Sequence, residues 1–196
     1  MLIVENLKIN HYADNMTNDE LYEFCVLNRD LQIERDSAQN IFIKSPVVGN
    51  IGFYEAQLIT ELEFWGRQNK LGLTFSSSTG FLLPNGAMRS PDGCWVSDER
   101  WAKVPQAAKT KFLPVVPNFI VEVRSPSDSL KPLQEKMLEW IENGVELGWL
   151  IDTQNQQSYI YRPNHSVEQI KGFDKKLNGE NILKDFEFDL SELKMP

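Results

Sequence analysis

At 196 residues, 41% of them hydrophobic, the chain can bury one sizeable core and reads as one domain over residues 1–196. A formal net charge of −8 argues against tight, unassisted, nonspecific binding to nucleic acid, which needs clustered Lys and Arg. No apolar run approaches the ~18 residues of a membrane span and no basic-then-apolar leader is present, so a soluble, cytoplasmic protein is expected, and Cys25, Cys94, His11 and His165 are too few and too scattered for a disulfide or a zinc site.

Residues 1–16 have no clear period and are expected to form an irregular lead-in. Thr17-Asn18-Asp19-Glu20 is a capping box that opens a helix with Leu21, Phe24 and Cys25 turned inward. Leu31 to Glu34 and Ile41 to Ile43 alternate on either side of a polar turn and read as a hairpin. Asn50 is placed to cap a long helix whose apolar stripe is Ile51, Tyr54, Leu58, Leu62 and Trp65. Glu55 flanks that stripe, a position where glutamate is more often solvated than functional. After Gly72, Leu73-Thr74-Phe75 starts a strand, and two short strands follow around Asn85-Gly86. Ser90-Pro91-Asp92-Gly93 then leads into the β-like run Gly93-Cys94-Trp95-Val96. Ser97 to Thr110 reads as one or two helical turns, with a Trp101 that packs more readily on its own domain than on a base.

Phe119-Ile120-Val121 is an apolar run that drives into Glu122, Arg124 and a Ser125-Pro126 break. It reads as a buried strand whose polar end emerges at a sheet edge or cleft. Period two puts Glu122 and Arg124 on one face, with Val121 and Val123 on the other. Asp92 and Glu122 at neighbouring strand ends would offer the oxygen ligands a hard cation such as magnesium requires, and a cation beside it can offset charge on a phosphate. A helix from about Pro132 to Asn143-Gly144 has Leu133, Met137, Trp140 and Ile141 on its core face, and Lys136 borders that face. Strands over 148–152 and 158–162 follow, and the strand-helix-strand order from 118 to 152 allows a parallel pair with a right-handed crossover. Gly172 to Ile182 reads as a turn, and Phe186 to Leu190 as a last edge strand rather than a metal site. Within 100–136, seven basic residues stand against three acidic ones, a bias that suits a nucleic-acid face or an ordinary basic loop equally.

Pro91-Asp92, then Val121-Glu122-Val123-Arg124-Ser125-Pro126-Ser127, Lys136, Gly144-Val145 and Trp149-Leu150-Ile151-Asp152 form an ordered series. In this series the chain resembles the PD-(D/E)XK nucleases, the restriction-endonuclease-like superfamily, and within it a large group of uncharacterised bacterial proteins described as restriction endonucleases. The likeness runs from about Thr17 to the region of Leu190. It implies a mixed α/β (α+β) fold with a restriction-endonuclease-like core, a central mixed β-sheet flanked by helices. It implies a metal-dependent endonuclease that hydrolyses phosphodiester bonds of nucleic acid, DNA first, with Mg2+, or Mn2+ in its place, held by Asp92 and Glu122. A homodimer is expected if both strands of a duplex are cut. One departure concerns the lysine of the acidic-x-Lys signature, which is Arg124 here; arginine orients oxygens but keeps its proton, and Lys136 on the following helix is the natural substitute. Glu34 is carried over as an acidic residue near the metal site, against the alternative of a solvated hairpin carboxylate. The candidate catalytic residues are therefore Asp92, Glu122, Arg124, Lys136 and Glu34. Two other readings stand beside this one: a non-catalytic nucleic-acid-binding or interaction module on the same fold, and a structural Glu122–Arg124 ion pair in a protein of unrelated purpose.

Overall fold

The computed structural model describes residues 16–194, so the expected lead-in lies, except for Met16, outside the described residues. Helix α1 (Asn18–Leu27) begins at the expected capping box, where Glu20 N donates to Thr17 Oγ1 and Thr17 N donates back to the Glu20 carboxylate. Strands β1 (Gln32–Arg35) and β2 (Ile41–Lys44) form the antiparallel hairpin. Helix α2 (Gly49–Asn69) buries all five residues of its predicted stripe. Its start differs from the expectation: Val48 occupies the N-cap, no side chain caps the helix, and Asn50 lies inside the first turn. Docking of the stripe, rather than a capping hydrogen bond, sets where this helix begins.

The chain continues through β3 (Gly72–Ser76), β4 (Phe81–Leu82), β5 (Met88–Arg89), β6 (Gly93–Ser97) and the short α3 (Asp98–Trp101). Then come β7 (Phe119–Arg124), α4 (Leu130–Glu142), β8 (Leu147–Asp152), β9 (Gln157–Tyr161), β10 (Val167–Lys171), β11 (Lys176–Asn178) and β12 (Glu187–Asp189). Helix α4 starts two residues ahead of Pro132, which sits in the first turn where its missing N–H costs nothing, and it ends at Asn143 before Gly144 with φ +109°. Strand β10 carries no usable alternation and is mostly exposed; pairing along β9 is what makes it a strand. Trp101 packs on Phe75 and lies under the Lys109 ammonium, so it serves its own domain.

A six-stranded mixed sheet has the order β10-β9-β8-β7-β6-β3. Strands β7 and β8 run parallel, joined through α4, with Phe119 opposite Leu147 and Arg124 opposite Asp152. A four-stranded sheet, β2-β1-β5-β4, lies beside it, and β11 and β12 pair alone. The mixed sheet is covered on both sides, as the expected fold class requires. On one face the α2 stripe packs with Trp95, Phe119, Val121, Val123, Trp149 and the later Phe186 and Phe188. On the other, Cys94, Ile120 and Leu150 meet Met137, Trp140 and Ile141 of α4. The alternation of β7 therefore sends Val121 and Val123 toward α2, and Ile120 and Glu122 toward α4.

The β3–β6 pairing, which holds β6 and the approach to Asp92, depends on close contact at Gly72. A Cβ at this position would overlap the Val96 carbonyl and the Trp95 ring. Gly72→Ala is expected to cost about 1–3 kcal/mol, read as a lower urea midpoint at an unchanged m-value. An unchanged midpoint would contradict this packing.

Candidate active site

The face of β7 that meets α4 carries Glu122, which is buried. Trp140 Nε1 donates to Glu122 Oε1 at 3.2 Å, and Lys136 Nζ lies 2.7 Å from the same oxygen. Lys136 and Trp140 stand one helical turn apart, so a single face of α4 delivers both to one carboxylate. Asp92 precedes β6, whose Gly93 is opposite Val121 of β7, and its Oδ2 accepts from Val123 N at 2.7 Å.

Glu34 arrives from the other sheet. Its Oε1 lies 2.8 Å from Lys44 Nζ and 3.0 Å from Lys136 Nζ and accepts from Ser90 N at 3.1 Å; Arg89 meets Oε2 at 3.3 Å. At 2% exposure it is no solvated hairpin carboxylate. Arg89 also holds Glu139 of α4 at 2.6 Å, and Asn85 donates to the second oxygen of Glu139. Glu34, Lys44, Arg89, Asp92, Glu122, Lys136 and Glu139 line one cleft of about 970 Å³, together with Glu55, whose carboxyl is raised chiefly by burial.

Burial and charge push the acids apart. Burial by itself would raise Glu34, but Lys136, Lys44 and Arg89 outweigh it and bring its pKa down to about 2. Asp92 moves the other way: burial first, then the Glu122 charge, lift it to about 7 in spite of Lys44 and Lys136. Burial works against the Lys44 ammonium, yet Glu122, Glu34 and Asp92 hold its pKa above the ordinary value.

Of the five predicted catalytic residues, Asp92, Glu122, Lys136 and Glu34 come together. Arg124 does not line the cleft. Its guanidinium donates to Asp152 at 2.9 Å and to the Asp128 carbonyl at 3.1 Å. The parallel register sets Arg124 directly beside Asp152, and the fully buried Asp152 also accepts from Gln154 N, Asn155 N and Asn155 Nδ2. Arg124 thus ties the end of β7 to the β8–β9 turn, and the Glu122–Arg124 ion pair of the structural alternative is replaced by Glu122–Lys136 and Arg124–Asp152. Lys44, Arg89 and Glu139 went unnoticed in the sequence. For Lys44 a signal existed: the hairpin sets Glu34 opposite Phe42, which leaves Lys44 on the adjoining diagonal.

The basic bias of residues 100–136 does not give an open cationic face. Arg100, Lys103, Lys111, Arg124, Lys131 and Lys136 pair with Glu146, Glu99, Asp19, Asp152, Glu135 and Glu122, and Lys109 sits over Trp101. The attraction for an anion in the cleft falls to Lys44, Arg89 and Lys136.

Among the described residues no three of His, Cys, Asp and Glu are grouped so as to hold a metal ion, so a metal would rest on two carboxylates. Asp92 and Glu122 suit that role. Among the described residues the contacts fall on Oδ2 of Asp92 and Oε1 of Glu122, which leaves one oxygen of each for a cation. Two carboxylate oxygens completed by water match the habit of magnesium, and a cation would offset both the burial and the Glu122 charge that raise Asp92. No described helix is long and apolar enough to cross a membrane.

The family model Uma2, described as "Putative restriction endonuclease", matches residues 18–191. Among solved structures the chain is similar to one from Anabaena variabilis described as "a putative nuclease belonging to DUF820". The two share 17% identity at a TM-score of 0.72, over 91% of this chain and 97% of that one, a likeness that shows the fold. No curated protein matches the sequence.

The opposed shifts of Glu34 and Asp92 give the metal-free protein a signed pH dependence. Glu34, depressed to about 2 from 4.5, contributes stability that is complete above its unfolded value and is lost as pH falls toward its folded one. Asp92, raised to about 7 from 3.8, contributes stability that is complete below its unfolded value and is lost as pH rises through its folded one. With chelator present, the urea midpoint of wild type should be highest at about pH 4 to 5 and fall on either side. Asp92→Asn should flatten the alkaline side alone. A wild-type midpoint that climbs steadily from acid to pH 8 would contradict the Asp92 assignment, and one that does not fall between pH 4 and pH 2 would contradict that of Glu34.

Proposed function

The chain belongs to the Uma2 family, and on that premise we propose that it is a magnesium-dependent endonuclease that hydrolyses phosphodiester bonds of nucleic acid, DNA first, with manganese able to substitute. The observation that carries this reading is the Lys136 ammonium 2.7 Å from Glu122, in the cleft that Asp92 also lines. Two carboxylates and a lysine are the parts the PD-(D/E)XK resemblance asks for, with the lysine delivered by α4 instead of β7.

Magnesium held by Asp92 and Glu122 would supply Lewis-acid polarisation of the phosphodiester and a more acidic water. The chain's own residues divide the remaining work. Trp140 fixes Glu122 in one orientation through its indole N–H. Lys136 keeps an ammonium beside Glu122 and lowers the energy of negative charge developing on the phosphate. Glu34, with Ser90 N and the Arg89 guanidinium on its oxygens, holds Lys136 from the opposite side. Arg124 takes no part at the phosphate and acts through the turn it closes. Cutting both strands of a duplex would need two chains related by a two-fold axis, one site to a strand, so a homodimer belongs to this proposal in that case.

Asp92→Asn and Glu122→Gln should each abolish magnesium-dependent cleavage of a mixed nucleic-acid substrate while circular dichroism stays native. Lys136→Ala should slow single-turnover cleavage on the order of 100-fold or more. Arg124→Lys should keep its rate once corrected for folded fraction. Undiminished turnover in either carboxylate variant would sink the site. A near-native Lys136→Ala beside a crippled Arg124→Ala would give the lysine role back to β7.

A further inference from the structure

Strand β2 lines the cleft with Phe42, Ile43 and Lys44, which the proposed chemistry leaves unused, and Phe42 and Lys44 share one strand face. An ammonium has three N–H donors. Three oxygens surround Lys136 Nζ, those of Glu122 at 2.7 Å, Glu34 at 3.0 Å and the Ser90 carbonyl at 3.5 Å. Among the described residues, two surround Lys44 Nζ, Glu34 at 2.8 Å and the Ser90 carbonyl at 3.3 Å. The Lys44 side chain is also 30% exposed, against 9% for Lys136. One N–H of Lys44 is therefore open to an anion entering from solvent, whereas Lys136 has none to spare. Phe42 stands two residues away on the same strand face and is 46% exposed as a residue, with Arg89 over its ring at 5.6 Å from the centroid.

Charge and size restrict what could use these two groups. With its cations committed to internal partners, the basic stretch 100–136 offers no row of free Lys and Arg to follow both backbones of a duplex. A cleft of about 970 Å³ falls at the upper end of small-ligand sites, the scale of a few nucleotides. An exposed ring beside a cation is the platform on which an unpaired base stacks, since a base inside a duplex has both faces covered.

We propose that β2 forms a nucleotide subsite in which Lys44 Nζ takes a non-bridging phosphate oxygen and the Phe42 ring carries an unpaired base, so that the substrate is single-stranded nucleic acid. This deepens the nuclease reading and rests on it for the identity of the reaction. It calls for one strand in one cleft, with no pairing of chains. Lys44 is a substrate-binding residue on this account, and Phe42 selects for strandedness.

Fluorescence anisotropy of the full chain in EDTA, with a short labelled single-stranded DNA of mixed sequence and the same DNA as a duplex, tests this apart from catalysis. The single strand should bind at least about tenfold more tightly. Phe42→Ala should weaken the single strand on the order of tenfold, leave the duplex unmoved and leave the salt dependence unchanged. Lys44→Met should weaken both forms and lower the salt slope by about 0.7, one phosphate's share, while Lys44→Arg, which keeps a charge beside Glu34, should restore both values. Duplex bound as well as the single strand, no binding of either, or a Phe42→Ala protein with native single-strand affinity would each overturn the proposal. Strand-selective binding without magnesium-dependent cleavage would uphold the subsite and refute the nuclease reading. Cleavage that needs Asp92 and Glu122 but favours duplex would do the reverse.

Discussion

One carboxylate, Glu34, stays ionised with almost no water around it, and the relative placement of three elements depends on that. Withdrawing an ion from water costs several kcal/mol unless other groups replace its hydration. The replacements come from Lys44 on β2, Arg89 at the end of β5, Lys136 on α4 and the Ser90 N–H. The apolar cluster under the hairpin is small, with Leu21, Phe24, Ile33 and Met88 as its buried members. Charge therefore does much of the work of setting the hairpin against α4, and the Arg89–Glu139 pair extends that link along the helix. Loss of one partner would leave the others as buried, uncompensated ions.

An apolar replacement of the same volume would be the more stable way to fill such a space. What the ionic arrangement provides is position. Lys136 is drawn between Glu34 and Glu122 and cannot snorkel to water as a lysine beside an apolar helix face otherwise does. The two sides of the cluster then differ in character. Glu34 is surrounded by cations and remains charged through the physiological range, whereas Asp92 beside Glu122 is poised near neutrality. Environment alone separates the fixed counter-ion from the acid whose charge can change.

The sequence revealed whatever rested on local pattern. The α1 capping box, the α2 stripe and the β7-α4-β8 unit follow from spacings of three or four residues in helices and two in strands, and all form as expected. Asp92 and Glu122 could be picked out because each stands where an apolar strand meets a polar end, and Lys136 because it borders a core face. The burial of Glu34 could not be read, since it comes from the docking of two sheets. Arg89 and Lys136 reach it across 55 and 102 residues. Arg124 has the right residue class on the right strand face, and only the β7–β8 register shows that Asp152 claims it. The start of α2 and the existence of β10 escaped for a related reason, because packing and pairing fixed them without help from caps or alternation.

The 102-residue reach from Glu34 to Lys136 also has a meaning in time. A chain made from its N-terminus leaves the ribosome with the hairpin, Arg89 and Asp92 well before Glu122, and with Glu122 before α4. Contacts that close so long a loop come late, after local helices and hairpins have formed. Through that interval Glu34 and Glu122 lack their shared ammonium, and the cleft lacks one wall. The order of the residues thus keeps the cleft incomplete until α4 has joined it.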